Sequence, residues 1–544
     1  MSNMKRLEKD SLGSISVPED ALWGAQTQRS ILNFDIGDEV VPLEIIHAIA
    51  QIKASAARVN NHLGLIDKEI AQFITEASSE IIKGKYDDQF PLKVWQTGSG
   101  TQTNMNVNEV ISNIASKRLN NPLGSHDPLH PNDHVNRSQS TNDVFPAAIQ
   151  IATIINLKKT LIPELKKLID LFHQKSHEWK DLIKIGRTHL QDAVPLTLGQ
   201  EVSAWSSQLE TALGRIEINL EELYSLPLGG TAIGTGINAP ENFDNLIALD
   251  ISRETNLPFQ TAANKFAIMA SHDGLVNIMS QLKLLAVTFL KIVNDLRLLS
   301  CGPRAGLSEL QLPANEPGSS IMPGKINPTQ CEAMAMVCTQ IIGFDTSVSI
   351  AGSGGHLQMN VYKPLIGYNI IKSINLIKNA CKSCRENMIE GIQANEPGSS
   401  IMPGKINPTQ CEAMAMVCTQ IIGMDASVSM AGSGGHLQMN VYKPLIGYNI
   451  LKSINLIQTA CKSCRENMIE GIQPNKPKIK QYLDHSLMLI TALTPSIGYE
   501  KASQIAQLAH EKNLSLREAS NQLKYIDPEE FDNLINPKFM IGTD

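Results

Sequence analysis

Residues 314–393 return as residues 394–473, and this repetition limits what the chain can fold into more than any other feature. The copies differ only at Phe344/Met424, Thr346/Ala426, Ile350/Met430, Ile371/Leu451, Lys378/Gln458 and Asn379/Thr459, so 74 of 80 positions are identical. Two units are too few for a solenoid, which needs three or more stacked repeats to bury its core. The pattern is that of one segment copied in tandem inside a protein that needs it once. If the fold has one slot, the other copy must leave the native path through a loop, since leaving mid-helix breaks backbone hydrogen bonds. Loop-like exits lie before Ala314, at Gly352-Ser353-Gly354-Gly355 and at Gln393. The last two keep the first copy in the slot, which is the expectation here. The helices left out are expected to expose an apolar face.

Each copy opens on a shaped loop, Gly318 to Pro328 and again Gly398 to Pro408. Two glycines and two prolines in these eleven residues rule out a regular helix or central strand. Ser319, Ser320, Lys325 and Asn327 suit an anionic, oxygen-rich ligand. Asn327-Pro328 reads as a helix start with Asn327 as cap, and a helix N-terminus favours negative charge.

Hydrophobic residues make up 42% of the 544 residues, enough for a sizeable core. A net charge of −7 and a pI near 6.0 argue against nucleic acid or an anionic membrane as the main partner. The first 20 residues read as an irregular lead-in, with Glu8, Asp10, Glu19 and Asp20 interrupting any signal or transit pattern. No uninterrupted apolar run reaches membrane-spanning length, and a cytoplasmic location is expected. Eight of the nine cysteines are four positions counted twice. Cys381-x-x-Cys384 and Cys461-x-x-Cys464 mimic a zinc spacing, but in a helical setting they read as packing residues, with neither zinc nor disulfides expected.

Along the chain, helical periodicity from Leu43 to Lys83 breaks near Gly64. A polar segment, Thr97-Gly-Ser-Gly-Thr-Gln-Thr-Asn-Met-Asn106, gathers hydroxyls and amides able to donate to carboxylates. His130-Pro-Asn-Asp133 and Ser138-Gln-Ser-Thr-Asn-Asp143 follow; turn and cap roles explain several of these residues. Helical pattern resumes at Ile149, with a kink expected at Pro163. Gly186-Arg-Thr-His-Leu-Gln-Asp192 crowds His189 with Thr188, Gln191 and Asp192. Leu228 to Gly236 is glycine-rich yet lacks the preceding strand and spacing of a nucleotide loop. Residues 275–300 are apolar on nearly every face, as in the middle of a bundle. Period-two alternation is nearly absent, so an all-α fold is expected.

In order, the Thr97, His130, Ser138, Gly186 and Gly318 motifs resemble class II fumarase, of the fumarase/aspartase superfamily, over essentially the whole chain apart from the extra copy. The resemblance implies three helical domains (1–139, 140–473 with both copies, and 474–544) and a homotetramer with a central long-helix bundle. It implies active sites shared by three subunits, no metal or organic cofactor, and reversible hydration of fumarate to (S)-malate. On this chain it makes Ser319 the base and His189 the group handling water, oriented by Glu332. Ser99, Gly100, Thr101, Ser140, Thr141, Asn142, Thr188, Ser320, Lys325, Ile326 and Asn327 would hold the substrate. Ser399, Ser400, Lys405, Asn407 and Glu412 are the alternative copy of the loop residues. His130, Pro131, Asn132 and Asp133 match a second dicarboxylate site, although Asp127-Pro128-Leu129 stands where the family often carries a basic residue. Aspartate ammonia-lyase shares the loop but usually has glutamine in place of His189. An inactive assembly caused by the duplication is the alternative from another class.

Overall fold

A computed structural model describes residues 4–319, 321–322, 324–394, 409–433, 440 and 442–536. Ser320, Ser399, Ser400, Lys405, Asn407 and the side chain of Glu412 lie outside the described residues. The chain divides into two compact units. The first comprises residues 1–170, 206–293 and 332–385; the second comprises residues 171–205, 294–331 and 386–544.

The first unit opens with a hairpin, β1 (Lys5–Asp10) and β2 (Gly13–Pro18), where the sequence suggested an irregular lead-in. Two of the acidic residues that break up a signal pattern, Glu8 and Asp10, lie on β1. Arg29 pairs with Asp10 at 2.7 Å, and Arg6 reaches Glu8. Helix α1 (Ala25–Asn33) follows, then α2 (Leu43–His62) and α3 (Lys68–Ile82), broken at Gly64 with φ +71° as the periodicity indicated. Helix α4 (Thr101–Arg118) packs on α5 (Thr141–Asn156). A π-helical turn, Leu157–Leu161, links α5 to α6 (Ile162–Glu178), so the chain stays helical through Pro163 with its irregularity just ahead of the proline.

In the second unit, β3 (Ile183–Thr188) and β4 (Gln191–Thr197) form an antiparallel hairpin in place of the expected polar island between helices. Helices α8 (Phe243–Thr255), α9 (Lys265–Ala270) and α12 (Lys363–Cys384) belong to the first unit, as do most of α7 (Leu198–Asn219), α10 (Asp273–Leu299) and α11 (Thr329–Ser353). Unit boundaries fall within α6, α7, α10 and α11. Helix α10 buries Ile278, Leu282, Leu285 and Phe289 but leaves Leu284, Val287 and Leu298 exposed, so it is less enclosed than its composition suggested. By length and composition, Asp273–Leu299, Thr329–Ser353 and Ala413–Gly432 could each cross a membrane. The first two bury core side chains, and Lys283 of α10 pairs with the buried Asp345 of α11 at 2.7 Å.

The two copies form the same hairpin in different surroundings. In the first, α12 packs on α5, and a Cβ at Gly367 would lie 2.8 Å from Ile45 Cδ1 and 3.0 Å from Ile149 Cγ1. The second copy folds as α13 (Thr409–Ser433) and α14 (Lys443–Asn467). Its internal contacts are reproduced: Cys331 Sγ lies 3.3 Å from Met388 Sδ, and Cys411 Sγ lies 3.2 Å from Met468 Sδ. Its outward contacts are not. Ile370, Ile371, Ile374 and Ile377 are buried, whereas Ile450, Leu451, Ile454 and Ile457 are 45%, 69%, 55% and 45% exposed. Burying one such side chain is worth about 1.5–3 kcal/mol, so the first copy alone has the stabilising surroundings. Gly367→Val is expected to destabilise the chain by about 1–3 kcal/mol through overpacking. Gly447→Val meets open space and is expected to leave the unfolding midpoint unchanged. Denaturant titration of both variants checks the contrast.

Helices α15 (Lys476–His485), α16 (Thr494–Ile497), α17 (Tyr499–Glu511), α18 (Leu516–Leu523) and α19 (Pro528–Leu534) end the chain. Leu493, Ile505, Ala509, Leu516 and Phe531 form a small apolar core there.

Candidate active site

In the first unit the Thr97 motif becomes a tight turn entering α4. Gly100 caps the helix in the left-handed region, at φ +82°, where a Cβ would lie 2.4 Å from Phe145 Cδ2. Ser99 and Thr101 share a hydrogen bond at 2.8 Å beside the first free N–H groups of α4. Val361 clamps the turn, since a Cβ on Gly98 would fall 1.3 Å from its carbonyl oxygen. Gly98→Ala is therefore expected to cost about 3 kcal/mol or more and to displace the Ser99–Thr101 turn. A large rise in KM for a dicarboxylate, with the far-UV helical signal retained, checks it.

The Ser138 motif enters α5 through a capping box, with Ser140 Oγ accepting from Asn142 N and Asp143 Oδ1 accepting from Ser140 N at 3.0 Å. Thr141 is buried, and Asn142 Nδ2 donates to Ala232 O at 2.8 Å. The glycine-rich segment at 228–236 serves this motif: Gly229 N and Thr231 N donate to Asp143 Oδ2 at 3.1 and 2.9 Å. Burial pushes the Asp143 carboxyl up to about 6, against those N–H groups and Lys53. Lys53, fully buried on α2, donates to Asn136 Oδ1 at 2.8 Å and Gln139 Oε1 at 3.1 Å; burial pulls its ammonium down to about 7, opposed by Asp143. Asn136 also accepts from Asn104 and Asn108 of α4. This polar scaffold sets the spacing of the two helix N-termini.

Sequence reasoning left Asp143, Lys53 and Asn136 out of the site. Serine followed three positions later by an acid is a capping-box signature, and a lysine one position after Ile52 on an apolar helix face is a buried-charge signal. Those two signals could have found Asp143 and Lys53.

His130 acts on its own turn. Its Nδ1 accepts from Asn132 N and Asp133 N at 3.3 and 3.1 Å at the start of Pro131–Val135. Asp133 Oδ2 lies 3.2 Å from the same nitrogen. Glu332 is exposed in the first turn of α11.

The second unit holds the remaining residues. His189 and Leu190 form the two-residue tip of the β3–β4 hairpin, with φ +57° and +58° and Thr188 paired to Gln191. Both tip positions lie in the left-handed region, as a type I′ turn requires. Neither residue is glycine, asparagine or aspartate, so the turn is strained, and such strain concentrates at functional positions. Ion pairs brace the hairpin: Lys184 to Glu201 and Glu309, and Arg187 to Glu309.

The Gly318 loop closes on itself, with Gly318 N donating to Lys325 O at 2.9 Å. Asn327 does not cap the helix in the way the sequence suggested. Its side-chain amide donates to Gly318 O, and α11 starts at Thr329. The loop needs that amide as a clasp because Gly324, at φ +73°, turns the chain back on itself. Ser319 Oγ accepts two backbone hydrogen bonds, from Ile321 N at 3.2 Å and Met322 N at 3.0 Å. Donors converging on a hydroxyl oxygen favour its anionic form. Lys325 is half-buried and Ile326 is exposed on the same loop.

The first unit thus holds two helix N-termini lined with hydroxyls, and the second holds a strained histidine tip and a serine held by backbone amides. The lyase family model matches residues 13–343 and 380–423, and a fumarase C C-terminus model matches residues 489–542. A fumarate hydratase class II of Prochlorococcus marinus (strain SARG) is 56% identical over all of both chains, and one of Thermosynechococcus vestitus is 44% identical over 100% of this chain and 99% of its own. The class II fumarase of Schistosoma mansoni superposes with a TM-score of 0.71 at 36% identity, covering 98% of each chain. The chain belongs to the class II fumarases of the fumarase/aspartase superfamily.

Proposed function

We propose that this chain catalyses the reversible hydration of fumarate to (S)-malate, with Ser319 as base and His189 as the group that handles water. In the malate-to-fumarate direction, Ser319 Oγ takes the C3 proton and the C3–H electron pair moves onto the neighbouring carboxylate. That pair then forms the C2=C3 bond as the C2 hydroxyl leaves, protonated by the His189 imidazolium, as water. Hydration runs the same steps backwards. Lys325 and the loop N–H groups stabilise the charge that builds on the carboxylate, and Glu332 orients His189.

Ser99, Gly100, Thr101, Ser140, Thr141, Asn142, Thr188, Ser320, Ile326 and Asn327 surround the two carboxylates. The observation that carries this reading is the pair of backbone amides donating to Ser319 Oγ, because serine is too weak an acid to serve as a base without such support. His189 favours hydration over ammonia elimination. The test is to follow fumarate absorbance with malate as substrate. His189→Asn is expected to lower kcat by about 10²- to 10⁴-fold. Ammonia release from aspartate without malate turnover would overturn the assignment.

The proposal extends to a cytoplasmic homotetramer whose sites each draw on three subunits, and to an internal duplication of which the first copy works. The exposed Leu284, Val287 and Leu298 of α10 and Met336 and Ile350 of α11 support burial between subunits. Sedimentation velocity tests the assembly, and a monomer with full activity would overturn shared sites. The His130–Asp133 turn enters as a scaffold for Asn136 and as a candidate second dicarboxylate site, tested by whether His130→Asn changes malate saturation.

A further inference from the structure

Lys363 is the first residue of α12 and is fully buried in the first unit, yet its Nζ has no hydrogen-bond partner among the described residues. Its backbone N–H donates to Gly98 O at 3.1 Å, so the lysine is anchored on the turn that carries Ser99 and Thr101. The neighbouring Val361 carbonyl packs on Gly98 too closely for any side chain there. Around Lys363 stand Asp143 of α5 and His272, which lies just ahead of α10; Lys53 of α2 stands across Asp143. His272 is buried with its Nε2 also unpartnered among the described residues, and burial, then Lys363, holds its pKa down to about 3. Asp143 already accepts from three backbone N–H groups. Two buried lysines thus share one buried carboxylate behind two helix N-termini.

An unpaired ammonium in the interior is costly, and a protein usually removes such a group or pairs it. The charge missing from this cluster is one more anion, and the exposed side of the Ser99–Thr101 turn is where the proposed substrate brings two. We propose that Lys363 is a positioning residue for the dicarboxylate: anchored to Gly98 and with no hydrogen-bond partner for its ammonium among the described residues, it supplies the positive field that draws the anion to the Ser99–Thr101 and Ser140–Asn142 N-termini. The inference rests on the reading of this site as a fumarate/malate site.

This role has a consequence that plain packing lacks. Burial pulls the Lys363 ammonium down to about 8, with Asp143 opposing, so above that pH the free protein holds much of it neutral. Binding a dianion favours the charged form, so the complex takes up a proton. His272 stays neutral throughout, and Asp143 is ionised at that pH in both states. If binding raises the Lys363 pKa by one unit, affinity is roughly tenfold higher below the free-state pKa than above the bound-state one.

The test titrates succinate, an unreactive dicarboxylate, into the full chain by calorimetry at pH 8.5, in two buffers of different ionisation enthalpy. The unaltered chain is expected to take up a fraction of a proton per site. Lys363→Met is expected to abolish that uptake and, at pH 7, to raise KM for malate about tenfold, with kcat nearly unchanged. Lys363→Arg is expected to restore KM. Uptake that persists in Lys363→Met, or equal impairment of the Met and Arg variants, would overturn the proposal. If Lys363→Met does not fold, the unaltered chain and Lys363→Arg decide, and no uptake by the unaltered chain overturns it. Failure of the underlying reading is seen separately, as an unaltered chain that forms no fumarate from malate.

Discussion

Ser319→Ala is expected to lower kcat for fumarate formation from malate by about 10²- to 10⁴-fold, while KM and the helical signal stay close to those of the unaltered chain. The variant removes the one oxygen to which Ile321 N and Met322 N donate, and with it the proposed acceptor of the C3 proton. Those two amides remain in the loop, so the fold around Gly318 and Lys325 has no reason to collapse. Ser399→Ala alters the same loop in a copy whose helices lie exposed, and is expected to leave kcat unchanged. Absorbance of fumarate, followed for both variants side by side, separates the copies. Full activity in Ser319→Ala with loss in Ser399→Ala would reverse the assignment, and full activity in both would remove serine from the chemistry.

Deleting residues 394–473 is expected to leave kcat and KM for malate unchanged and to remove association beyond the tetramer. The segment presents Ile450, Leu451, Ile454 and Ile457 to solvent from α14, with Met416 and Ile422 exposed on α13. Each such side chain left in water forgoes about 1.5–3 kcal/mol of burial, and a contiguous apolar face of this kind drives association. The equivalent face of α12 already packs on α5, so the deletion removes no core contact of the first unit. Light scattering against concentration and a malate assay on the same samples check both halves. Loss of activity on deletion would mean that the second copy, not the first, serves the catalytic slot.

The repetition, the helical class and the five polar islands are all legible in the residue order, because periodicity and glycine–proline punctuation are local properties. The break at Gly64 and the irregularity beside Pro163 are likewise local. The β3–β4 hairpin was not legible: its sequence lacks the Asn-Gly or Asp-Gly that normally announces a type I′ turn, and His189 and Leu190 take the strained tip instead. Nor was the role of the glycine-rich segment at 228–236, since its amides matter only once folding brings Asp143 to them.

The amino-acid order alone determined that this chain carries the residues of a class II fumarase and carries one set of loop residues twice. It could not rank the two sets, because 74 of 80 positions are the same and local propensity cannot tell equals apart. Only the tertiary structure distinguishes their surroundings: Ile45 and Ile149 pack against Gly367 in the first, while Gly447 in the second meets open space. Tertiary structure also left Lys363 buried without a hydrogen-bond partner among the described residues, since burial is a property of the surrounding elements rather than of the lysine.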